Sequence, residues 1–328
     1  MTNLDSIKIE VPNECIIHLG DRFVNTTTTN NNDKQIKNIS TLNGTGVIGY
    51  KSTLYDHIRG VSIFELSAKI LGENYPKGIT IDTIHQVAET INDSKQLIID
   101  PYKFIESATI HKIDITNNLK FDVLDRKLFN TLATLPVNKK YDVTHYNIKS
   151  NLGVTYRNKA KTVRDRLIFY CKTTELLAKD KELRKQPYAT KVFNQFKNVL
   201  RVESNHTQHK EYKHIYGSRN LLDILGSTAN VNYDKFTKLT NNKTDLVLFP
   251  EFEGMKFKEI MRYGGYKYIC DSCNMDWQLI DKVMRIYTGK NYSRDIKPLQ
   301  AWYNTYNQTT RIVDFDVIKH IKELLLAA

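Results

Sequence analysis

The sequence is short of long apolar runs and of cysteine. No apolar stretch reaches the roughly 18 residues that a membrane-spanning helix needs, and the opening MTNLDSIKIEVPNE has neither a basic nor an apolar leader region. Four cysteines in 328 residues, at positions 15, 171, 270 and 273, provide no disulfide framework. These absences predict a soluble cytoplasmic protein of one or two domains that is stabilised by its hydrophobic core.

Acidic residues are outnumbered by basic ones. The chain has 48 Lys and Arg against 36 Asp and Glu, a net charge of +12 with a pI of about 9.3, which favours nucleic acid over a membrane as partner. Half of this excess lies in residues 156–185, which hold ten Lys or Arg and four Asp or Glu. We expect phosphate contacts in this segment. The candidate DNA-binding residues are Tyr156, Arg157, Lys159, Lys161, Arg164 and Arg166.

Hydrophobic periodicity divides the chain into two parts. Alternation typical of strands occurs near the amino terminus, in 47–70, in 105–121 and in VLRVES at 199–204. After residue 217 the apolar spacing is helical, so we expect one domain over 1–217 and a mostly helical domain over 218–328. The low-complexity segment NTTTTNNND, at 25–33, has no periodicity and predicts a flexible loop.

One short apolar stretch, RDRLIFYCKTTEL at 164–176, carries a tyrosine, a lysine and a glutamate. If residues 166–172 form a strand, alternation sends Tyr170 and Lys172 to the same face. A phenol has a pKa of about 10, and a neighbouring ammonium favours loss of its proton. The pattern therefore suits Tyr170 as the nucleophile of a covalent phosphoryl transfer. Tyrosine is also common in strands simply because aromatic rings pack well on pleated surfaces.

Two carboxylates interrupt predicted strands. Asp114 lies in the middle of HKIDIT, and aspartate is among the residues most depleted from strand interiors, so it requires a metal ion, a cation or solvent. Glu65 ends an apolar strand, where it is either exposed at a sheet edge or faces a cation. His111 has the opposite parity to Asp114 and is expected to be a packed or surface histidine.

Three blocks in a fixed order resemble the gene II replication proteins of filamentous phages and, more distantly, the rolling-circle initiators of plasmids. The blocks are HKIDIT at 111–116, GVTYRNKAKTVRDRLIFYCKTTEL at 153–176, and VLRVESNHTQHKEYKHIYG at 199–217. They look like the RIDxT strand, the YxKxxEL segment and the RxE strand of that family. Each block alone is a weak signal, and their order makes the match more specific.

The resemblance implies a reaction and a fold. Tyr170 is the implied nucleophile that nicks one DNA strand, with Lys172 and Glu175 at the other fixed positions of its motif. The implied fold is α+β, a ferredoxin-like antiparallel sheet of the rolling-circle nuclease type that carries a divalent ion on its central strands. The product would be a 5′-phosphotyrosine and a free 3′-hydroxyl primer at a phage or plasmid origin in the host cytoplasm. The same enzyme would later rejoin the displaced strand, with a host helicase as a further partner.

The metal ligands implied by the resemblance are carboxylates. Relatives in the wider superfamily use two histidines flanking an apolar residue, and this sequence has no such triplet. Hard oxygen ligands suit Mg²⁺ or Mn²⁺, so Asp114 and Glu203 are the first candidates and Glu65 is the third. His206 and His209 follow Glu203 and are left open, either as further ligands or as a polar surface.

Three alternatives remain at the level of sequence. Tyr156 is a rival nucleophile, for which DNA contact is preferred because it lies outside the YxKxxE motif. The protein can instead be a non-catalytic origin-binding module, or a metal-dependent nuclease that uses water. Cys270 and Cys273 form a single CxxC, which cannot complete a tetrahedral zinc site, so buried thiols are expected.

Overall fold

The structure, a computed structural model, describes residues 2–30, 35–133, 135, 140–148, 151–160, 166–240, 276–288 and 315–328, with isolated positions between 256 and 273. It is α+β, as predicted, and is built on a large antiparallel sheet. None of the helices in these ranges is both long and apolar enough to span a membrane.

Ten strands form the main sheet, in the order β3-β4-β5-β6-β1-β8-β12-β11-β10-β9. Two further strands, β2 (Ile16–Leu19) and β7 (Leu97–Ile99), pair separately. The strands of the main sheet are β1 (Leu4–Pro12), β3 (Val24–Asn30), β4 (Gln35–Asn43), β5 (Tyr50–Asp56), β6 (Val61–Ser67), β8 (Thr109–Lys120), β9 (Tyr141–Ile148), β10 (Asn151–Asn158), β11 (Arg166–Cys171) and β12 (Val199–His206).

Helices occupy the connections and the C-terminal part. They are α1 (Ile84–Asp93), α2 (Pro101–Ser107), α3 (Arg126–Ala133), α4 (Lys172–Lys179), α5 (Lys181–Arg184), α6 (Ala189–Gln195), α7 (His209–Tyr216), α8 (Leu221–Leu225), α9 (Val231–Thr240), α10 (Trp277–Thr288) and α11 (Phe315–Ala327). A 3-10 segment, Ala68–Lys77, follows β6. Asp180 separates α4 from α5, and its carboxylate accepts the Leu183 amide at 3.0 Å and caps α5.

The expectation of a loop without regular structure at 25–33 is wrong for residues 25–30. These residues belong to β3, which pairs with β4 from Val24 opposite Thr41 to Asn30 opposite Gln35. Threonine is β-branched and favours extended backbone, and the ladder satisfies the peptide groups of the segment. Low complexity therefore did not exclude a strand. Residues 31–33 lie outside the described part of the chain.

Alternation gives the main sheet one apolar and one polar face. Phe169, Val202 and Tyr156 point to the apolar face and pack with α3, α9 and α11. The same face of the β1 and β8 half packs in a second cluster that includes Phe64 and Phe104, whose rings meet edge to face at 5.0 Å. The polar face carries the carboxylates, the cations and Tyr170, so the strands present their reactive side chains together.

The compact units differ from the predicted division at residue 217. One unit comprises residues 1–243 with 317–328, and the other comprises 244–316. The first extends past 217 because α9 packs on the sheet: Asn232, fully buried, donates to Asn117 Oδ1 at 2.8 Å, and the Phe236 ring lies 5.2 Å from that of Phe169. In the second unit, Cys270 and Cys273 are buried thiols, as expected.

Phe236→Ala tests whether α9 is part of the sheet domain. Phe236 has no exposed surface, so its removal leaves a cavity against Phe169 and should lower the free energy of unfolding by about 3 to 5 kcal/mol. Urea denaturation followed by circular dichroism measures the change. The matched control is Leu177→Ala on α4, which is 51% exposed and should change stability by less than about 0.5 kcal/mol. Equal, small effects would show that α9 is dispensable.

Candidate active site

A cavity of about 1050 Å³ opens on the polar face of the sheet, and we call it the strand cavity. Of the residues that the structure describes, six cations line it against three carboxylates, so the cavity attracts anions. Threonine, asparagine, glycine and the Tyr170 ring complete its wall. The charged lining residues are Lys69, Lys112, Arg157, Arg166, Lys172, Lys179, Asp5, Glu175 and Glu203.

Tyr170 and Glu203 form the central hydrogen bond of the strand cavity. Glu203 stands on β12 opposite Ile168, two pairs along the ladder from Tyr170 on β11 and on the same face. The Tyr170 hydroxyl donates to Glu203 Oε2 at 2.8 Å. Burial, and then the negative charge of Glu203, raise the pKa of Tyr170 well above its usual value. The phenol therefore holds its proton at neutral pH, and Glu203 is the group positioned to accept it.

Glu203 is itself more basic than an ordinary carboxylate. Burial raises its pKa, and the neighbouring charges of Asp5 and Asp114 raise it further. A raised pKa makes a carboxylate a better proton acceptor toward a phenol.

Lys172 stands beside Tyr170, as the sequence predicted, although it is the first residue of α4 and not the last of a strand. Its ammonium lies 5.5 Å from the centre of the Tyr170 ring and 5.4 Å from that of Tyr75. It donates to Glu175 Oε2 at 2.9 Å, one helical turn along. The ammonium therefore faces rings and a carboxylate, and the expected lowering of the Tyr170 pKa by Lys172 is not what dominates.

Arg201 lies beside Tyr170 on the neighbouring strand and is 1% exposed. It is directly opposite Tyr170 across the β11 and β12 ladder, and its guanidinium contacts the Asp5 carboxylate and donates to Asn118 Oδ1 at 2.9 Å. Its Cζ lies 5.7 Å from the Tyr75 ring centre and 5.1 Å from that of Phe196. Two rings and two polar partners therefore fix this cation in one position.

Asp114 lies on β8 next to β12, and each oxygen of its carboxylate accepts a hydrogen bond. It accepts from Ser6 Oγ at one oxygen and from Asn205 Nδ2 at the other, and the Lys112 ammonium is 4.0 Å away. Asp114 pairs with Asn205, so it is a diagonal neighbour of Glu203 on the same face, with Cα atoms about 7 to 8 Å apart.

The number of carboxylates in the pair of Asp114 and Glu203 suits a divalent ion. Mg²⁺ is commonly held by one or two carboxylates, with waters and substrate phosphates completing its shell. Asp114 and Glu203 share a face and interact electrostatically, which matches a two-carboxylate site. Within the ranges that the structure describes, no third His, Cys, Asp or Glu completes a cluster. The metal therefore stays a prediction.

Glu65, the third predicted ligand, is not brought to the strand cavity. It lies on β6, and β1 separates that strand from β8, so it is about 10 Å away from β8 across the sheet. Its carboxylate is 3.2 Å from the Lys51 ammonium. Glu65 therefore faces a cation, and the expectation of a sheet edge is wrong because β5 pairs with β6 on its outer side.

The predicted DNA-binding residues separate into four groups. Arg157 and Arg166 line the strand cavity, whereas Lys159 is on the hairpin and lies 3.5 Å from Asp142. The prediction for Tyr156 is wrong: the side chain has no exposed surface and its hydroxyl donates to the Leu132 carbonyl. Tyr156 is on the apolar face, so it is also excluded as rival nucleophile in this structure. Lys161 and Arg164 lie outside the described residues.

The histidines near β12 are not gathered at Glu203. His206 is 1% exposed, on the apolar face, with its Nε2 3.0 Å from Ser204 Oγ and its Nδ1 3.5 Å from Glu211. His111 is partly exposed and lies 3.3 Å from Glu10, as expected for a surface histidine, and its ring meets that of His209 at 5.6 Å.

Sequence reasoning missed the contributions of β1 and of the 3-10 segment. Asp5 and Ser6 come from the first strand, and Tyr75 and Lys69 come from the segment after β6. The first strand has a visible signal, a carboxylate and a serine in the apolar run LDSIKIEV. Only the pairing of β1 with β8 places these residues beside Asp114.

Comparisons with family models and with curated protein sequences found no match for this chain.

Asp5→Asn tests the buried ion pair of Asp5 with Arg201 beside Tyr170. Burial alone would raise the pKa of Asp5, but Arg201 and Lys172 lower it from 3.8 to about 2. Because the folded pKa is the lower one, ionised Asp5 stabilises the fold above about pH 4, and this contribution is lost as the pH falls toward 2. We expect the variant to lose about 3 kcal/mol of unfolding free energy at pH 7 and less at pH 3.

Urea titrations at several pH values measure this difference. The control is Asp142→Asn, whose side chain is 67% exposed and whose loss should cost less than about 0.5 kcal/mol at every pH. A difference for Asp5→Asn that is constant between pH 7 and pH 3 would contradict the assigned ion pair.

Proposed function

We propose that this protein nicks one strand of DNA at a replication origin by tyrosine transesterification and thereby initiates rolling-circle replication. The observation that carries the proposal is the hydrogen bond from the Tyr170 hydroxyl to Glu203, inside a cavity with six cations and three carboxylates. A nucleophile, a proton acceptor and phosphate-binding cations are the groups that phosphodiester transesterification needs. The motif resemblance points to the same chemistry.

The proposal extends from the α+β class to a more specific fold for the central strands. We infer that β1, β8, β12 and β11 correspond to the ferredoxin-like sheet of the rolling-circle nucleases. The support is that the candidate ligands stand on the neighbouring strands β8 and β12, and that the candidate nucleophile lies on the adjacent strand β11.

The proposed step is a single displacement at phosphorus. The Tyr170 oxygen forms a bond to the phosphate and its proton passes to Glu203, while the bond from phosphorus to the 3′ oxygen breaks. The departing 3′ oxygen takes a proton from water and becomes the primer hydroxyl, and the 5′ phosphate stays on Tyr170. Lys172 and the buried Arg201 are the cations that offset negative charge around the ring as the proton leaves.

A divalent ion would assist at the same place. Asp114 and Glu203 are the residues that would hold Mg²⁺ or Mn²⁺, and the ion would supply Lewis-acid neutralisation of a non-bridging phosphate oxygen. Arg157 and Arg166, which line the strand cavity beside Tyr170, would bind flanking phosphates. Recognition of the duplex origin and of a host helicase by the C-terminal helices is proposed on the resemblance alone.

Tyr170→Phe is the decisive variant. The wild type, incubated with Mg²⁺ or Mn²⁺ and supercoiled DNA of the genome that encodes it, should form a covalent adduct on Tyr170, detected by denaturing gel and tryptic mass spectrometry. The variant should form none, because it lacks the attacking oxygen. Chelation by EDTA should suppress the wild-type adduct. The matched control is Tyr102→Phe, an exposed tyrosine on α2, which should behave as the wild type.

The two alternative functions give other outcomes. Nicking that persists undiminished in Tyr170→Phe without an adduct would indicate hydrolysis by water. Salt-sensitive DNA binding with neither nicking nor an adduct in the wild type would indicate a binding module.

Glu203→Gln tests proton acceptance. Glutamine keeps the shape but cannot take the phenol proton at neutral pH, so the rate of adduct formation should fall about 10²- to 10⁴-fold. Single-turnover assays with saturating protein measure it, and DNA affinity by anisotropy should change little. The control is Glu182→Gln, a surface glutamate paired with Lys185. An unchanged adduct rate in Glu203→Gln would show that the proton leaves by another route.

A further inference from the structure

A second cavity of about 430 Å³ adjoins the strand cavity, and we call it the amide cavity. One wall is the 3-10 segment Ala68–Lys77, which is broken at Gly72 with φ 56° and ψ −117°. The other is the loop before β5. A Cβ on Gly49 would lie 2.2 Å from the Ile70 amide nitrogen, so glycine is needed for this close approach. Backbone packing therefore forms the amide cavity without a ligand.

The lining of the amide cavity is mostly neutral. It has amide, hydroxyl and apolar groups, and among the described residues that line it Lys69 and Glu73 are the charged ones, of which Glu73 is paired with Lys191. The strand cavity has six cations by contrast. Phosphates require the cationic surface, whereas a nucleobase is neutral and is recognised by hydrogen bonds and stacking. The two cavities therefore match the two parts of a nucleotide.

Hydrogen bonds fix the orientation of the Asn74 and Gln86 side-chain amides. Asn74 Nδ2 donates to Gln86 Oε1 at 3.0 Å, and Gln86 Nε2 donates to the Leu71 carbonyl at 3.2 Å. Across the described residues, Asn74 Oδ1 and the Tyr188 hydroxyl have no such partner. A Cβ on residue 72 would lie 3.7 Å from the Tyr188 ring and would cover part of it. Because residue 72 is glycine, that part of the ring stays accessible. The amide cavity thus offers a fixed acceptor, a hydroxyl and an aromatic ring.

Lys69 connects the two cavities, because it lines both. Its ammonium lies 2.5 Å from the Asp180 carboxylate, which fixes the side chain between them. We propose that the amide cavity binds one unpaired nucleobase of the DNA strand whose phosphates occupy the strand cavity, and so reads one position of the recognised sequence. This inference rests on the proposed function, since it takes DNA as the ligand of the strand cavity.

The test is a selection from a random-sequence pool of single-stranded DNA. The wild type should enrich a preferred base at one position or more. Asn74→Ala and Tyr188→Leu should each reduce the preference at one shared position about tenfold, because a base contact is lost. Lys112→Ala, in the strand cavity, should weaken all sequences alike and keep the preference. Tyr102→Ala is the surface control, and thermal melting by circular dichroism verifies that each variant folds.

An abasic nucleotide at the preferred position sharpens the assignment. It should weaken binding by the wild type about tenfold, and it should cost Asn74→Ala little further, since the contact is already absent. Unchanged preferences in both amide-cavity variants, or no preference in a wild type that binds the pool, would overturn the inference. The Tyr170 adduct assay is independent of both results. Absence of any binding by the wild type would instead remove the proposed function and this inference together.

Discussion

The buried ion pair of Arg201 with Asp5 is the constraint on which the polar face of the sheet depends. A guanidinium with 1% exposure is costly to bury unless its charge is compensated, and here Asp5, Asn118 and two aromatic rings compensate it. The pair connects β1 to β12, two strands that are not neighbours in the sheet, across β8. Tyr170 lies opposite Arg201 across the ladder and Glu203 lies two residues further along β12, so the charge of Arg201 acts on both groups.

Lys172 and Glu203 have different electrostatic effects on the Tyr170 proton. A lysine beside a tyrosine suggests an acidified phenol, but burial outweighs that effect for Tyr170, whose pKa is raised. A buried phenol is instead activated by a strong acceptor, and burial makes Glu203 such an acceptor. The same desolvation that keeps the phenol protonated thus makes Glu203 a stronger proton acceptor.

Local patterns predicted the strands and the central tyrosine, because alternation and β-branched runs are short-range signals. They placed Asp114 in mid-strand, Glu203 on a short strand and Tyr170 beside Lys172 correctly. They failed where long-range pairing decides: Glu65 is four strand positions from β11, Tyr156 faces the core, and Asp5 joins the site through the β1 and β8 pairing. The threonine-rich β3 was missed for another reason. Composition alone does not reveal the hydrogen-bonded ladder that its partner strand β4 provides.

The pairing order of the sheet has a consequence for the chain during its synthesis. The first strand, β1, lies near the middle of the sheet and pairs with β8, which in turn pairs with β12 at Val199–His206. Asp5 on β1 and its ion-pair partner Arg201 on β12 thus leave the ribosome about 10 to 40 s apart, at translation rates of roughly 5 to 20 residues per second. An incomplete chain exposes unpaired strand edges and has no site. The contacts among β1, β8 and β12 that surround Tyr170 therefore form only after β12 has been made.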